Sequence, residues 1–545
     1  MGEKTPPLLS RRDIEALIAD GAKIFILDQF VIKANPWIPY HPGGDKAILH
    51  MVGRDATDEV TALHSAETIQ QINHYRIGRI QGRWNNFIPP IQGGRFRPLS
   101  DDTEAECDGN ASLTSSCNSR DASPVFDTRP TIRHRCGDSS SSSVTSVSSE
   151  DDGLAHLDSV TRQKISMDLK TYPPIDHETQ DDIVAKYRLL NERIKAEGLY
   201  QCNYGAYAYV ALRCALLFAC MLLALHWGWY ALSGVFIGAF WQQLVFVVHD
   251  AGHMGITHRF HFDTCIGIFI ADFVGGLSVG WWKRNHNVHH IVTNSPEHDP
   301  DVEYLPFLAI SHRFLGNLRS TYYERLMEYD AVAKVLLQFQ KYSFYPLMTF
   351  GRFNLYRLTW EYLLSGQAPR KGPAWWHWYL EITGQVFFWT WYGYGIIYKS
   401  IPSNAGRFAF FMISHMVMAP LHVQFTLSHF GMSTADLGPH ESFPQKMLRT
   451  TMDVECPEWL DFFHGGLQFQ AIHHLYPRIP RHNLRATQKL VQAFCVDVGI
   501  PYALYGFVDG NKQVVGALAE VSRQAAIFAK CQEALACGSD SVRAH

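Results

Sequence analysis

Apolar and polar positions follow three different regimes along the chain. From residue 7 to about 82 they change over short stretches. SRRDIEALIA, opened by Ser10, predicts a capped helix; KIFIL and FVIKA predict β-strands; short helical segments follow. Residues 98–158 lack periodic apolar positions and centre on SSSSSVTSVSSEDD. Such a stretch buries too little apolar surface to order itself, and it predicts a disordered linker. From about residue 205 the apolar positions merge into long runs. AYAYVALRCALLFACMLLAL (206–225) and YALSGVFIGAFWQQLVFVV (230–248) are long enough to cross a bilayer and are separated only by HWGW, which predicts a helical hairpin. Residues 378–398 and 408–427 predict a second hairpin. CIGIFIADFVGGLSVGWW (265–282) is apolar but interrupted by Asp272 and glycines, so a re-entrant or interfacial segment is expected there.

The expected architecture is therefore an α+β domain at 7–82, a Ser-rich disordered linker at 98–158 and an all-α membrane domain at 160–500. The last has about four transmembrane helices in two hairpins, and residues 501–545 are read as a C-terminal tail. The 14 tryptophans bunch beside the apolar runs, at HWGW, WW (281) and WWHW (375), as expected at a membrane interface. A net charge of −4 gives no reason to expect nucleic acid as a partner. The 11 cysteines show no CxxC and no regular spacing, which argues against a disulfide framework and against a zinc knuckle. The N-terminal stretch lacks the apolar core of a secretory signal. Lys186, Arg188, Arg193, Lys195, Arg370 and Lys371 flank the spans on one side, whereas the short turns carry Lys399 and Arg407. This bias puts both termini and the region 249–375 in the cytosol.

Candidate chemistry is concentrated in histidine. In the first domain, PWIPYHPGGDKAILHMVGRDATDEVTALHS carries His41 and His64, separated by a Pro-Gly-Gly turn, a helix, GRDAT and a second helix. One histidine on each of two helical arms facing a crevice would fill both axial positions of a haem iron. HPGG, GRDAT, HS and the closing YRIGRI together resemble a cytochrome b5 haem domain, and the resemblance implies haem b with His41 and His64 as its axial ligands. Val60 departs from the aromatic residue usual in that family. With both axial positions taken, such a haem passes single electrons and binds no substrate.

Three further clusters lie in the membrane domain. VVHDAGH places His249 and His253 at i, i+4; HNVHH places His286, His289 and His290 at i, i+3, i+4; QFQAIHH places Gln470, His473 and His474 in the same spacing. Each set shares one helical face. That many imidazoles suit a first-row transition metal and exceed the needs of one ion. Zinc cannot accept the electrons that the haem domain delivers, and iron can.

HDAGH, HNVHH and QFQAIHH resemble the three histidine boxes of membrane fatty-acyl desaturases. The glutamine in the third box and the N-terminal haem domain mark the front-end branch. The resemblance implies two non-haem irons on His249, His253, His286, His289, His290, His473 and His474, with Gln470 nearby. It implies a further ligand before the third box, for which His429 in HVQFTLSHF is the first choice and His422 the second. The family's asparagine upstream of that ligand has no counterpart here. His298 and Asp299 in HDPD are assigned to orienting or capping work.

The implied reaction is oxygen-dependent: two electrons arrive singly through the haem, O2 is reduced to water and two neighbouring methylenes lose hydrogen. A linker of about 80 residues spans roughly 50 Å, enough for the haem domain to reach the site. The runs LLSRRDIEALIADG and GRWNNFIPPIQGG and the Ser-rich insert most resemble the fungal Δ8-sphingolipid branch. That resemblance implies ceramide as substrate, an NADH-cytochrome b5 reductase-type electron donor and a multi-pass location in the endoplasmic reticulum membrane. A Δ6 or Δ5 acyl-lipid desaturase and a di-iron lipid hydroxylase are the alternatives.

Overall fold

Ser10 opens the first ordered element by accepting the Asp13 amide, while Asp13 reaches back to the Ser10 amide. This reciprocal cap starts α1 (Arg11–Ala19). The computed structural model describes residues 6–87 and 149–542, in two units: residues 6–38 with 45–87, and residues 39–44 with 149–542. Residues 98–148 of the expected linker lie outside the described residues.

In the first unit, β1 (Ile24–Leu27), β2 (Phe30–Lys33) and β3 (Arg76–Arg79) form an antiparallel sheet in the order β1-β2-β3. The helices are α2 (Asp45–Leu49), α3 (Thr57–Leu63) and α4 (Ala66–Ile72). Ile14, Ile18, Ile24, Ile26 and Val31 fill the core. Packing continues past residue 82, since Trp84 and Phe87 are buried in the same core and the Trp84 indole donates to the Gly53 carbonyl at 2.9 Å.

The second unit is helical. α5 (Ser149–Thr171) and α6 (His177–Ala196) lead into α7 (Tyr204–His226) and α8 (Tyr230–Gly252). Residues 149–158, the last part of the expected linker, therefore fall within a helix. Leu157 buries against Phe314 and Leu315, an apolar contact that composition alone did not announce.

α9 (Phe260–Ile268) continues as a π-helix to Val274, turns through 118° and resumes as α10 (Val279–Val292). The reversal needs Gly276, whose φ is +70° and where a Cβ would stand 2.3 Å from the Phe388 ring. Asp272, read from sequence as an interruption, is fully buried and braces the turn. Its carboxylate accepts from Gln385 at 2.9 Å.

Further along come the two-residue strands β4 (Leu318–Arg319) and β5 (Leu326–Met327), then α11 (Ala331–Leu336), α12 (Gln340–Met348) and α13 (Gly351–Leu364). α14 (His377–Phe388) runs on as a π-helix to Ser400, and α15 (Asn404–Met416) leads into α16 (Ala419–Phe430). Among the described residues, three stretches are long and apolar enough to cross a membrane: Tyr204–His226, Tyr230–Gly252 and Asn404–Phe430. The bent pair α9–α10 makes up to four if it counts as one span. α8 packs against both α7 and α15, while α7 keeps Tyr209, Leu212, Leu216 and Leu223 exposed, a surface suited to lipid.

The chain closes with α17 (Phe443–Thr450), β6 (Asp453–Glu455), α18 (Asp461–His464), α19 (Gln470–Leu475), α20 (Leu484–Val498), β7 (Leu504–Gly506) and α21 (Phe507–Val542). The expected tail is thus integral structure. β7 pairs in parallel with β6, and α21 buries Val514, Leu518, Val521, Ala525 and Phe528 against Phe344, Leu427 and Phe430. Leu518 is fully buried. Leu518→Ala should cost about 2–5 kcal/mol. The exposed control Val508→Ala should stay within about 0.5 kcal/mol. Thermal unfolding of the detergent-purified protein measures both.

Candidate metal centre

The histidines flagged by sequence come from four helices and meet in two groups. His249 and His253 end α8, His286 and His289 lie on α10, His429 on α16, and His473 and His474 on α19. The first group is His249, His253, His286 and His473; the second is His289, His429 and His474. Within each group the ligand atoms lie inside 4.8 Å of one another. Ring centroids in the second group are 4.6, 4.8 and 4.9 Å apart.

His290 stands between the two. Its Nε2 is 3.1 Å from His286 Nε2, and its ring lies 4.7 Å from both His253 and His473 and 4.4 Å from His474. The Gln470 side chain lies beside His429 and so borders the second group. His422 and His298 belong to neither group; His298 Nδ1 pairs instead with the Thr321 hydroxyl at 2.9 Å.

Buried imidazole nitrogens normally find a hydrogen-bond partner. Here Nε2 of His253, His473 and His474, and Nδ1 of His290 and His429, are buried with none. Burial among other imidazoles pushes His473 and His474 well below the ordinary histidine range, so both stay neutral with a lone pair to offer. Converging lone pairs without protons are what first-row transition metals require, and the residues fit such ions.

Carboxylates and hydroxyls hold these rings in place. Asp299 accepts from His289 Nδ1 at 2.8 Å and from the amides of Asn294 and Asp301, which makes Nε2 the lone-pair nitrogen of His289. The same acceptances occupy Asp299, although His289, Asp299 and Asp301 lie close enough to form a ligand group themselves. Thr293 stands 3.2 Å from His474 Nδ1, and Asn294 Nδ2 donates to the His429 carbonyl at 2.8 Å. Asp250, inside the first box, accepts from Tyr207 at 2.6 Å and Arg481 at 3.1 Å, tying α8 to α7 and to the turn before α20. Trp282 stacks on His286 at 4.5 Å; it fits because Gly252 has no Cβ, which would fall 2.0 Å from the indole.

Asp453 was not flagged from sequence. It accepts the Ala471 amide at 2.8 Å at the start of α19, and also bonds Gln488 and the Tyr502 hydroxyl, so it sets the entry angle of the third box. Burial pushes its carboxyl up to about 6. Nothing in the local run TMDVE announced this, because the partners arrive from residues 471, 488 and 502.

Within residues 7–82 the sequence expectation put one histidine on each helical arm. His64 is instead the residue that caps α3, and His41 lies just past a 3-10 turn (Ile38–Tyr40). Each Nδ1 donates to a carbonyl, His41 to Gly44 at 2.7 Å and His64 to Val60 at 3.0 Å, so the lone pair of each ring sits on Nε2.

Residues 225–506 match the fatty acid desaturase family, and residues 10–81 match the cytochrome b5-like heme/steroid binding domain. The chain is 59% identical over 533 residues, covering 97% of both sequences, to a Delta 8-(E)-sphingolipid desaturase of Emericella nidulans. It is 46% identical to a protein of the same name in Kluyveromyces lactis, over 97% of this chain and 95% of the other. A Delta(8)-fatty-acid desaturase of Helianthus annuus is 35% identical over 63% of this chain and 74% of its own.

If Asp299 orients a metal ligand, Asp299→Asn should weaken metal retention about 10–100-fold. His298→Gln should leave it unchanged. Metal content after dialysis against graded chelator reads the difference.

Proposed function

Because this chain belongs to the fatty acid desaturase family and carries a cytochrome b5-like domain, we propose that it is an oxygen-dependent desaturase placing a Δ8 double bond in the sphingoid base of ceramide. The observation that carries this reading is the pair of buried imidazole groups, in a chain that aligns over nearly its whole length with relatives named for that reaction.

His249, His253, His286 and His473 would hold one non-haem iron; His289, His429 and His474, with Gln470 beside them, would hold the other; His290 faces both. Iron bound there supplies reduction of O2 and removal of hydrogen from two adjacent methylenes. The chain's own contribution is positional. Asp299 and Thr293 fix rings of the second group, Asn294 the backbone of His429, Asp250 the first box and Asp453 the third. Burial keeps bulk water from the centre, so competing reactions are suppressed.

His41 and His64 would hold haem b, which would supply one-electron transfer. An NADH-cytochrome b5 reductase-type donor reloads it. The membrane arrangement is two hairpins, α7–α8 and α14–α15/α16, with both termini and all histidine boxes on the cytosolic side of the endoplasmic reticulum. The basic residues at 186–195 and 370–371 support that orientation.

A second reading, desaturation of an acyl-lipid chain, is supported by the similarity to the Helianthus annuus protein and to an acyl-lipid (9-3)-desaturase of Borago officinalis, 36% identical over 54% of this chain. Expression in a host that lacks Δ8-unsaturated bases, followed by mass spectrometry of long-chain bases and acyl chains, separates the two. Bases should lose two hydrogens while acyl chains stay unchanged; unsaturated acyl chains alone would support the second reading, and added oxygen would identify a hydroxylase. His64→Ala should abolish turnover while the non-haem iron remains.

A further inference from the structure

At the reversal between α9 and α10 the amides of Leu277, Ser278 and Val279 bond Ala271, Thr359 and Asp272, so the carbonyls of Phe273, Val274 and Gly275 are left without their helical donors. A side chain meets each of them. Phe273 accepts from the Trp391 indole at 2.8 Å, Val274 from the Trp241 indole at 2.9 Å and Gly275 from the Arg352 guanidinium. Backbone that turns inside a bilayer needs such partners, because no water reaches it there. Arg352 is the informative one, since it belongs neither to that segment nor to a spanning helix. It stands at the start of α13 and is 1% exposed, with the Trp241 ring 4.1 Å away.

The path that brings Arg352 there follows a span inwards and leaves again. Phe344 on α12 lies 6.4 Å from Phe430, the last residue of the Asn404–Phe430 span. Further on, Gly351 comes so close to His422 that a Cβ would stand 2.8 Å from its ring, and His422 lies about 12 Å along that span from Phe430. α13 then returns. The Tyr362 hydroxyl is beside Gly280, and the Leu363 carbonyl accepts from the Trp378 indole at 2.9 Å, next to the exposed Trp375 and Tyr379. Tryptophan and tyrosine mark the membrane interface. On the outer face of α13, Arg357 reaches Glu361 at 2.7 Å, one turn nearer to those rings, as a snorkelling cation does.

The outer face of the inward arm is apolar. Val332, Val335, Phe339, Tyr342, Tyr345 and Phe350 are exposed at helical spacing, while Leu337 and Phe344 are buried on the opposite face against α21. Phe350 carries the stripe to Phe353, 6.2 Å away, and Phe353 lies 5.7 Å from Phe411 of α15, so the stripe is continuous with the surface of a span. That continuity selects lipid as what covers it. Resting on the reading that α7 and α15–α16 cross the membrane, we propose that α11–α13 is a re-entrant element. It enters and leaves the bilayer on the side of the histidine boxes, its tip at residues 349–352 reaches the depth of the α9–α10 reversal, and its stripe packs against acyl chains. The region 249–375 is then aqueous only in part, while the side on which the boxes lie is unchanged.

Phe339→Cys, Tyr342→Cys and Phe350→Cys test this one at a time in the full-length protein, reconstituted at one copy per phosphatidylcholine nanodisc and treated with a charged, water-soluble maleimide. Peptide mass spectrometry separates each site from the native cysteines. Leu216→Cys on α7 tests the spanning reading by itself, and Leu189→Cys and Val496→Cys, near the exposed Lys186–Asp497 ion pair, report contact with water. The three test sites are expected to react roughly tenfold more slowly than the two water controls. In the wild-type protein, a phospholipid with a diazirine midway along its acyl chain should label residues 332–350. Reaction at the rate of the water controls, with Leu216→Cys protected, would overturn the proposal; an unprotected Leu216→Cys would remove the spans and the proposal with them. Protection found only in vesicles holding many copies would assign the stripe to a second copy of this chain and overturn it too. Should the cysteine variants fail to fold, the wild-type labelling decides: α7 labelled and residues 332–350 unlabelled would again overturn it.

Discussion

Everything in the second unit depends on keeping many neutral imidazoles buried and unbonded with their lone pairs aimed at common points. Such an arrangement is unfavourable by itself, since each orphaned nitrogen forfeits hydrogen bonding to water. It persists only where the surrounding structure leaves the rings no other rotamer. The bracing residues do that: Asp299 and Thr293 hold rings directly, while Asp250, Asn294 and Asp453 hold the backbones that bear them. The close approach of α8 and α10 at Gly252 and Trp282 completes the enclosure.

The boxes were legible in sequence because their geometry is local. Residues three and four apart share a helical face whatever the rest of the chain does. Their partition into two groups was not legible, because His286 and His289 point to different groups from the same helix, and His473 and His474 do likewise from adjacent positions. His429 was reachable only through family resemblance; nothing in its spacing to the other histidines marks it. Asp453 and Thr293 were invisible because their partners come from distant segments.

The fold itself shows a similar division. Apolar runs announced α7, α8, α15 and α16, and Ser10 announced α1. The ends of the second unit were misread for a physical reason. α5 is polar on average and follows directly on the Ser-rich stretch, so it was read as linker; α5 and α21 gain their burial from one another and from the helices between them. The interruption at Asp272 and its neighbouring glycines was correctly suspicious, and its cause is a reversal braced from α14.

The placement of α21 governs the order of biosynthesis. Its apolar face packs on Leu427 and Phe430, which flank His429, so the second imidazole group is backed by residues made more than eighty positions later. While the ribosome is still translating that helix, the spans can enter the membrane but the cage behind His429 has no wall. The second imidazole group therefore gains its backing only once α21 has been made, and a chain stopped before residue 507 leaves the helix that carries His429 without that packing partner.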